Sequence, residues 1–190
     1  VKAGFIWHSE FCIWRDPLIE ATRSKSLGLL HGQLCKDSTM SRAGIPAYLL
    51  CFRKPGKNAE PVAHEKGLEY FPGEDAPTEG VIAHERWRRL ASPCWLDINF
   101  SNTLNVKAAR ADEDTRHICP MSMDIIDRAI LLYSNASDAV LDPFSGIGST
   151  GYCALKAKRR FLGCELKDEY FAQAVENLKK AAFDPHHYLF

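Results

Sequence analysis

Strand-like and helix-like hydrophobic patterns follow one another along the 190 residues. Residues 5–14, Phe-Ile-Trp-His-Ser-Glu-Phe-Cys-Ile-Trp, are rich in aromatic and β-branched side chains and predict a strand. Asp16-Pro17 then forms a helix start, with the aspartate as cap and the proline at the first helical position, and the helix is expected to reach about His31. Residues 36–46 are polar and close on turn formers, which predicts a loop. Ala47–Phe52 is a short apolar run, a second strand, ended by Pro55-Gly56. A loop-rich excursion is expected from about 55 to 117, since Pro55, Gly56, Pro61, Gly67, Pro72, Gly73, Pro77 and Gly80 crowd its start. Inside it, His84-Glu85-Arg86-Trp87-Arg88-Arg89 is a basic–aromatic cluster compatible with a short helix.

The last third is more regular. Met123–Tyr133 places apolar residues at 125, 126, 129, 130 and 132, a helical spacing. Ala139–Leu141 reads as a short buried strand, Ser149–Lys158 as a helix behind a glycine-rich turn, and Arg160–Glu165 as another strand. Asp168–Ala182 is amphipathic, with Tyr170, Phe171, Ala174, Val175 and Leu178 on one face. A helix followed by strand, turn, helix, strand and helix is a βαβ unit, which implies a parallel sheet and an α/β fold.

Composition narrows the class. Hydrophobic residues make up 46% and charged residues 25%, ordinary for a globular chain and unlike a disordered one. No run approaches the 18 apolar residues of a membrane span, and no basic–apolar–small signal segment opens the chain. The seven cysteines are scattered and contain no C-x-x-C, which argues for a reducing compartment and against a disulfide framework or a structural zinc site. The zero net charge is unevenly spread: residues 1–58 carry nine bases and four acids, residues 59–80 one base and six acids. The first segment is either a solvated face or a polyanion surface.

The chemistry concentrates in Asp142-Pro143-Phe144-Ser145-Gly146-Ile147-Gly148-Ser149-Thr150. It follows a strand and opens a helix. Glycines at 146 and 148 let the backbone turn tightly and approach a ligand, and the helix start offers N–H groups to an anion. Glu165 ends the next strand, 17 residues beyond Gly148, where an acid can accept from two ribose hydroxyls. On the residues alone three readings stand: a tight turn with a surface glutamate, a dinucleotide oxidoreductase, and another nucleotide-cofactor enzyme. The second is disfavoured because the glycine pair begins only after Asp-Pro-Phe.

Val140 to Gly151 resembles the S-adenosylmethionine-binding motif of amino-group DNA methyltransferases, which methylate adenine N6 or cytosine N4. Further stretches resemble that family. Arg116-His117-Ile118-Cys119-Pro120 is similar to a second cofactor motif, Ser134–Asp138 to the connection into the cofactor strand, and Phe161–Phe171 to the ribose-binding strand with its helix. Trp14–Pro17, Lys36–Thr39 and Gly44–Tyr48 resemble the phage and prophage branch. The likeness covers nearly the whole chain and is weakest over 58–95.

That resemblance implies a partial Rossmann-like class I methyltransferase sheet, mixed and mostly parallel, with a loop-rich insertion. Strands at 5–14, 47–52, 139–141 and 160–165 would be the sixth, seventh, first and second of an order 3-2-1-4-5-7-6, the sixth and seventh antiparallel and the first and second parallel. Residues 1–57 would edge the catalytic half, 58–115 form the insertion and a target-recognition region, and 116–190 hold the cofactor. Asp142, Phe144, Ser145, Gly146 and Gly148 would line the methionine end of S-adenosylmethionine, Pro143 would belong to the same cofactor site, Glu165 would hold the ribose, and His117 and Cys119 would lie beside the amino-acid moiety.

The family's Pro-Pro-aromatic motif, which holds the target amine and stacks the flipped base, is missing: the chain has no Pro-Pro dipeptide. The chain is therefore read as the C-terminal part of such an enzyme, inactive alone. Double-stranded DNA is its expected partner, together with the missing N-terminal half or a second chain, and not a membrane. A bacterial or phage-infected cytoplasm is the expected location. The alternative is a non-catalytic, cofactor-binding DNA partner subunit. Lys36, Ser38, Thr39 and Arg42 would face phosphates, and Arg86 and Arg88 would belong to the recognition insertion. Trp7, Trp14 and Trp95 are expected in the core, and His186-His187 is expected to be a tail, not a metal site.

Overall fold

The computed structural model describes residues 3–25, 28–63, 82–104 and 120–183, with backbone alone at 82–86. His117, Cys119, the acidic stretch 64–81 and His186-His187 lie outside the described residues, as does the side chain of Arg86. In chain order the elements are β1 (Ile6–Ile13), α1 (Pro17–Ser24), α2 (His31–Lys36), β2 (Ala47–Arg53), α3 (Ile82–Ala91), β3 (Cys94–Trp95), α4 (Met123–Tyr133), β4 (Ala139–Asp142), α5 (Ser149–Lys156), β5 (Arg160–Gly163) and α6 (Asp168–Phe183). They form two compact units, Val1–Asn58 with Ala91–Ile98, and Ala59–Leu90 with Asn99–Phe190.

The first unit carries a three-stranded sheet ordered β2-β1-β3. β1 and β2 are antiparallel, with Ile13 opposite Ala47 and Phe11 opposite Leu49, while β3 runs parallel to β1. Trp95 is fully buried and stacks on Phe11, ring centroids 4.7 Å apart. It is a core residue, as expected. Trp7 and Trp14 are not: both are about half exposed, at 50% and 47%. Trp7 meets Phe52 edge-on on the outer side of the β1–β2 pair, and Trp14 lies just past the end of β1.

The helix expected from Pro17 to His31 ends at Ser24. Asp16 does cap it, accepting from the Leu18 and Ile19 amides, but Lys25 turns left-handed at φ 50° and closes it. Gly28, at φ 82°, then redirects the chain before α2 begins at His31. The loop expected over 36–46 contains the end of α2 and one 3-10 turn, Ser38–Met40, capped by Asp37. The basic–aromatic cluster does fall on a helix, α3.

In the second unit β4 and β5 pair in parallel, Val140 opposite Phe161 and Leu141 opposite Leu162. This parallel pair and the antiparallel β1–β2 pair match the expected strand directions. Val140 and Phe161 face a core of Ile126, Ile130, Cys153 and Ala154 contributed by α4 and α5. Leu141 and Leu162 point to the other face and stay 63% and 64% exposed. The loops entering the two strands are tied together: the Ser137 amide donates to Lys158 O and the Arg160 amide to Asp138 O, both at 2.8 Å. Arg159 adds bonds to Ser134 Oγ and Ser134 O, at the residue that caps the end of α4. The strand starts are thus fixed, and the opposite ends of β4 and β5 carry the turn and the acid singled out above.

Candidate functional site

The site is built at the C-terminal ends of two parallel strands, the position where open α/β sheets hold ligands. β4 ends at Asp142. Its Oδ1 accepts the Phe144 amide at 2.9 Å and its Oδ2 accepts Thr150 Oγ1 at 2.6 Å. One carboxylate therefore bridges the start of the turn and the first turn of α5. Ser145 donates both its amide, at 2.9 Å, and its hydroxyl, at 3.1 Å, to Cys164 O, which fastens the turn to the residue after β5. The Cys164 amide returns a bond to Asp142 O.

The glycines do different work. Gly146 is left-handed at φ 52°, and a Cβ there would meet nothing within 4 Å. Its amide donates to Glu165 Oε2 at 2.8 Å. Gly148 is also left-handed, at φ 84°, but a Cβ there would lie 3.1 Å from Ala174 Cβ and 3.3 Å from Ala174 Cα. Gly146 thus borders open space, whereas Gly148 lets α6 close on the turn. Gly148→Ala is expected to cost about 1–2 kcal/mol for the left-handed backbone alone. The urea unfolding midpoint would register this, and an unchanged midpoint would mean that the turn relaxes around the methyl.

Glu165 follows β5 and is half-buried. Besides Gly146, it accepts the Leu166 and Lys167 amides on Oε1, at 2.9 and 3.0 Å. The carboxylate is thus a clasp between the glycine turn and the entry to α6. Phe144, in the turn, is 88% exposed and Leu166, next to Glu165 in sequence, 99% exposed. Pro143 is exposed as well.

Of the nine residues proposed for the cofactor, the structure brings seven together: Asp142, Pro143, Phe144, Ser145, Gly146, Gly148 and Glu165. Asp142 and Ser145 spend their polar groups on the turn itself. Sequence reasoning missed Thr150, the Cys164 carbonyl and Asn177, whose amide reaches Ile147 O at 2.8 Å. A signal for Asn177 existed: it is a polar residue among Ala174, Leu178 and Ala181 on the apolar face of α6.

The residues proposed to face DNA are distributed over both units. Lys36 closes α2, and Ser38, Thr39 and Arg42 follow on the exposed 3-10 turn and loop. Thr39 gives both its amide and its hydroxyl to Asp37 Oδ1, so its donors serve the local turn. Arg88 is exposed in the last turn of α3, a favourable place for a cation.

The profile of the N6/N4 DNA methylase family matches residues 13–176. The Type II methyltransferase M1.MboII of Moraxella bovis is 47% identical over 186 residues, covering 92% of this chain and 63% of its own length. The Type II methyltransferase M.MthZI of Methanothermobacter thermautotrophicus is 28% identical, over 88% of this chain and 42% of its own. This chain therefore spans less than two thirds of either relative. Among solved structures, a DNA modification methylase from Thermus thermophilus, complexed with S-adenosyl-L-methionine, superposes with a TM-score of 0.58 at 22% identity. That match covers 96% of this chain and 57% of the other, a likeness of fold.

Proposed function

The chain belongs to the N6/N4 DNA methylase family, and from that membership we propose that it is the cofactor-binding part of a DNA amino-methyltransferase. The enzyme would transfer a methyl group from S-adenosylmethionine to the exocyclic amine of adenine (N6) or cytosine (N4) in DNA. The observation that carries this reading is the Glu165–Gly146 clasp at the ends of the parallel strands. It sets an acceptor for hydroxyls beside an open, glycine-lined turn.

The residues present fit the cofactor. A ligand can approach where the Gly146 Cβ is missing, because that space is open. Glu165 would accept the ribose hydroxyls. Phe144 and Leu166 offer exposed apolar surface, and Pro143 and Gly148 shape the turn. Asp142 and Ser145 would act by holding the turn rather than by touching the ligand. When bound, S-adenosylmethionine supplies an electrophilic methyl group on a sulfonium. What this chain would do is hold the turn, orient the ribose and, through Phe144, offer apolar surface at the methionine end.

An exocyclic amine is a weak nucleophile and must be oriented and desolvated, and no Pro-Pro-aromatic segment occurs here for that task. Residues 1–190 alone are therefore expected to bind S-adenosylmethionine and to transfer no methyl group to DNA. A radiolabel transfer assay on the purified chain tests this, alongside calorimetric titration with S-adenosylhomocysteine. Transfer above background would show that a catalytic segment is present after all, and absence of binding would remove the cofactor assignment.

DNA contact is proposed through the basic first segment, Lys36 and Arg42 in particular, with Ser38 beside them and Arg88 on α3. Affinity should then fall with salt by a log–log slope of about −0.9 per neutralised phosphate. Lys36→Glu combined with Arg42→Glu should flatten that slope in a fluorescence-anisotropy titration. A slope indifferent to the double change would leave this face simply solvated.

A further inference from the structure

We infer that Asn177 is a positioning residue for the glycine turn, its buried amide fixing the direction in which the Ile147 carbonyl, and with it the backbone from Gly146 to Gly148, faces. Asn177 is 6% exposed and sits on α6, 30 residues from the carbonyl it binds. Its Nδ2 donates to Ile147 O at 2.8 Å, and its Oδ1 accepts from Gln173 Nε2 at 3.1 Å. Both ends of the amide are therefore engaged. A buried amide in an apolar stripe costs stability unless it is bonded, and a leucine in its place would pack. Its partner, moreover, is not another helix residue but the middle of the turn.

The turn needs such a pin. Gly146 and Gly148 flank Ile147, both at positive φ, and glycines tolerate several backbone conformations at little cost. The peptide between Ile147 and Gly148 is held at both ends: its carbonyl by Asn177 and its N–H by Ser145 O, at 2.8 Å. Without Asn177 the carbonyl is buried with no donor, and rotating the peptide becomes the relief. Rotation would reorient the backbone next to Gly146 and strain the Gly146 N–H bond to Glu165. A buried amide on α6, 30 residues from the turn in sequence, thus controls the shape that a ligand would meet. The consequence for ligand affinity rests on the cofactor reading above; the control of the turn does not.

Asn177→Asp is the sharpest probe. The carboxylate keeps the shape of the amide but has no proton to donate, so it sets a negative oxygen against Ile147 O. Burial raises the pKa of such an acid, and once protonated it donates again. The charged neighbours on its helix, Glu176 and Lys179, pair with each other at 3.0 Å at exposed positions, and the acids of the turn also have partners: Glu165 accepts from Gly146, and Asp142 from Phe144 and Thr150. In the full 190-residue chain, Asn177→Asp should bind S-adenosylhomocysteine about tenfold more weakly than wild type at about pH 8, or about 1.4 kcal/mol. The ratio should recover toward one as the pH falls.

A ratio of one at every pH would overturn the inference. So would a constant loss that tracks a fall in melting temperature, because that marks general destabilisation. Gln173→Ala serves if the aspartate variant does not fold, since it leaves Asn177 in place and removes only its orienting partner. Hydrogen exchange of the ligand-free chain separates the two readings. Faster exchange in the peptide over 143–150, with β4 and β5 unchanged, supports the pin even if wild type binds no S-adenosylhomocysteine, in which case only the cofactor reading fails. Unchanged exchange in both variants overturns the pin whatever the binding result.

Discussion

Glu165→Ala is expected to weaken S-adenosylmethionine or S-adenosylhomocysteine binding by at least tenfold. A charge-assisted hydrogen bond contributes about 1.5–3 kcal/mol, and about 1.4 kcal/mol is one factor of ten. The structure adds a second route to the same loss. A carboxylate has about four lone-pair directions, and the Gly146, Leu166 and Lys167 amides already take three. One direction is left for a ribose hydroxyl, so a second hydroxyl must share an oxygen or displace the Gly146 amide. Removing the side chain therefore deletes a ligand contact and releases the turn together. Glu165→Gln separates the two. Its carbonyl oxygen keeps an acceptor, but its amide nitrogen must face at least one backbone N–H, and the charge is gone. An intermediate loss of affinity by isothermal titration is expected for it. Unchanged affinity in both variants would take Glu165 out of the site.

The βαβ core was legible because its signals are local. The turn after Asp142 sits between a short apolar run, Ala139–Leu141, and a helix, and each step, strand, turn and helix, is decided within a few residues. The directions of both principal strand pairs also matched the expectation. What was not legible depends on partners distant in sequence or on backbone states that no side chain announces. Lys25 ends α1 in a left-handed conformation, and nothing in Arg-Ser-Lys-Ser distinguishes it from a continuing helix. Trp7 and Trp14 look like core residues by type, but strand geometry puts Trp7 on the outer side and leaves Trp14 beyond the last pair. β3 is two residues long and too short to carry a periodic signal. At the turn, acidic Glu165 stood out at the end of the second strand, but its bond to Gly146 spans 19 residues and appears only once β4 and β5 are in register. Asn177 stands out as a polar residue in an apolar stripe, but its partner, Ile147 O, lies 30 residues away and was hidden for the same reason. The residues that meet at the glycine turn were therefore readable as a list, while the hydrogen bonds by which Asp142, Ser145 and Glu165 hold it were not.

Asp127→Asn should stabilise the protein at neutral and higher pH, and the gain should vanish in acid. Asp127 lies half-buried on α4 against Cys153 of α5, where burial lifts its carboxyl from the usual 3.8 to about 6. The Cys153 thiol on α5 donates to it and Lys156 on the same helix attracts it, both opposing the rise, while Asp124 one turn away adds to it. Burial likewise pushes the Cys153 thiol up, helped by the negative charge of Asp127, so the thiol stays protonated as a donor. The folded state binds the Asp127 proton more tightly than the unfolded chain does. Its stabilising contribution is thus complete below about pH 4, where both states are protonated, and is lost as the pH rises through about 6. A rise of that size corresponds to about 3 kcal/mol, an upper figure for a group not wholly enclosed. At about pH 8 the folded protein carries this penalty, and asparagine, equal in size and uncharged, removes it. The thiol can still donate to the amide oxygen, so the packing against α5 is kept. Urea midpoints at about pH 8 should favour Asp127→Asn by about 1–3 kcal/mol, with the two proteins converging near about pH 4. A wild-type advantage at the higher pH would mean that the carboxylate is held charged by Lys156 more strongly than burial opposes it, and the sign of the whole dependence would reverse.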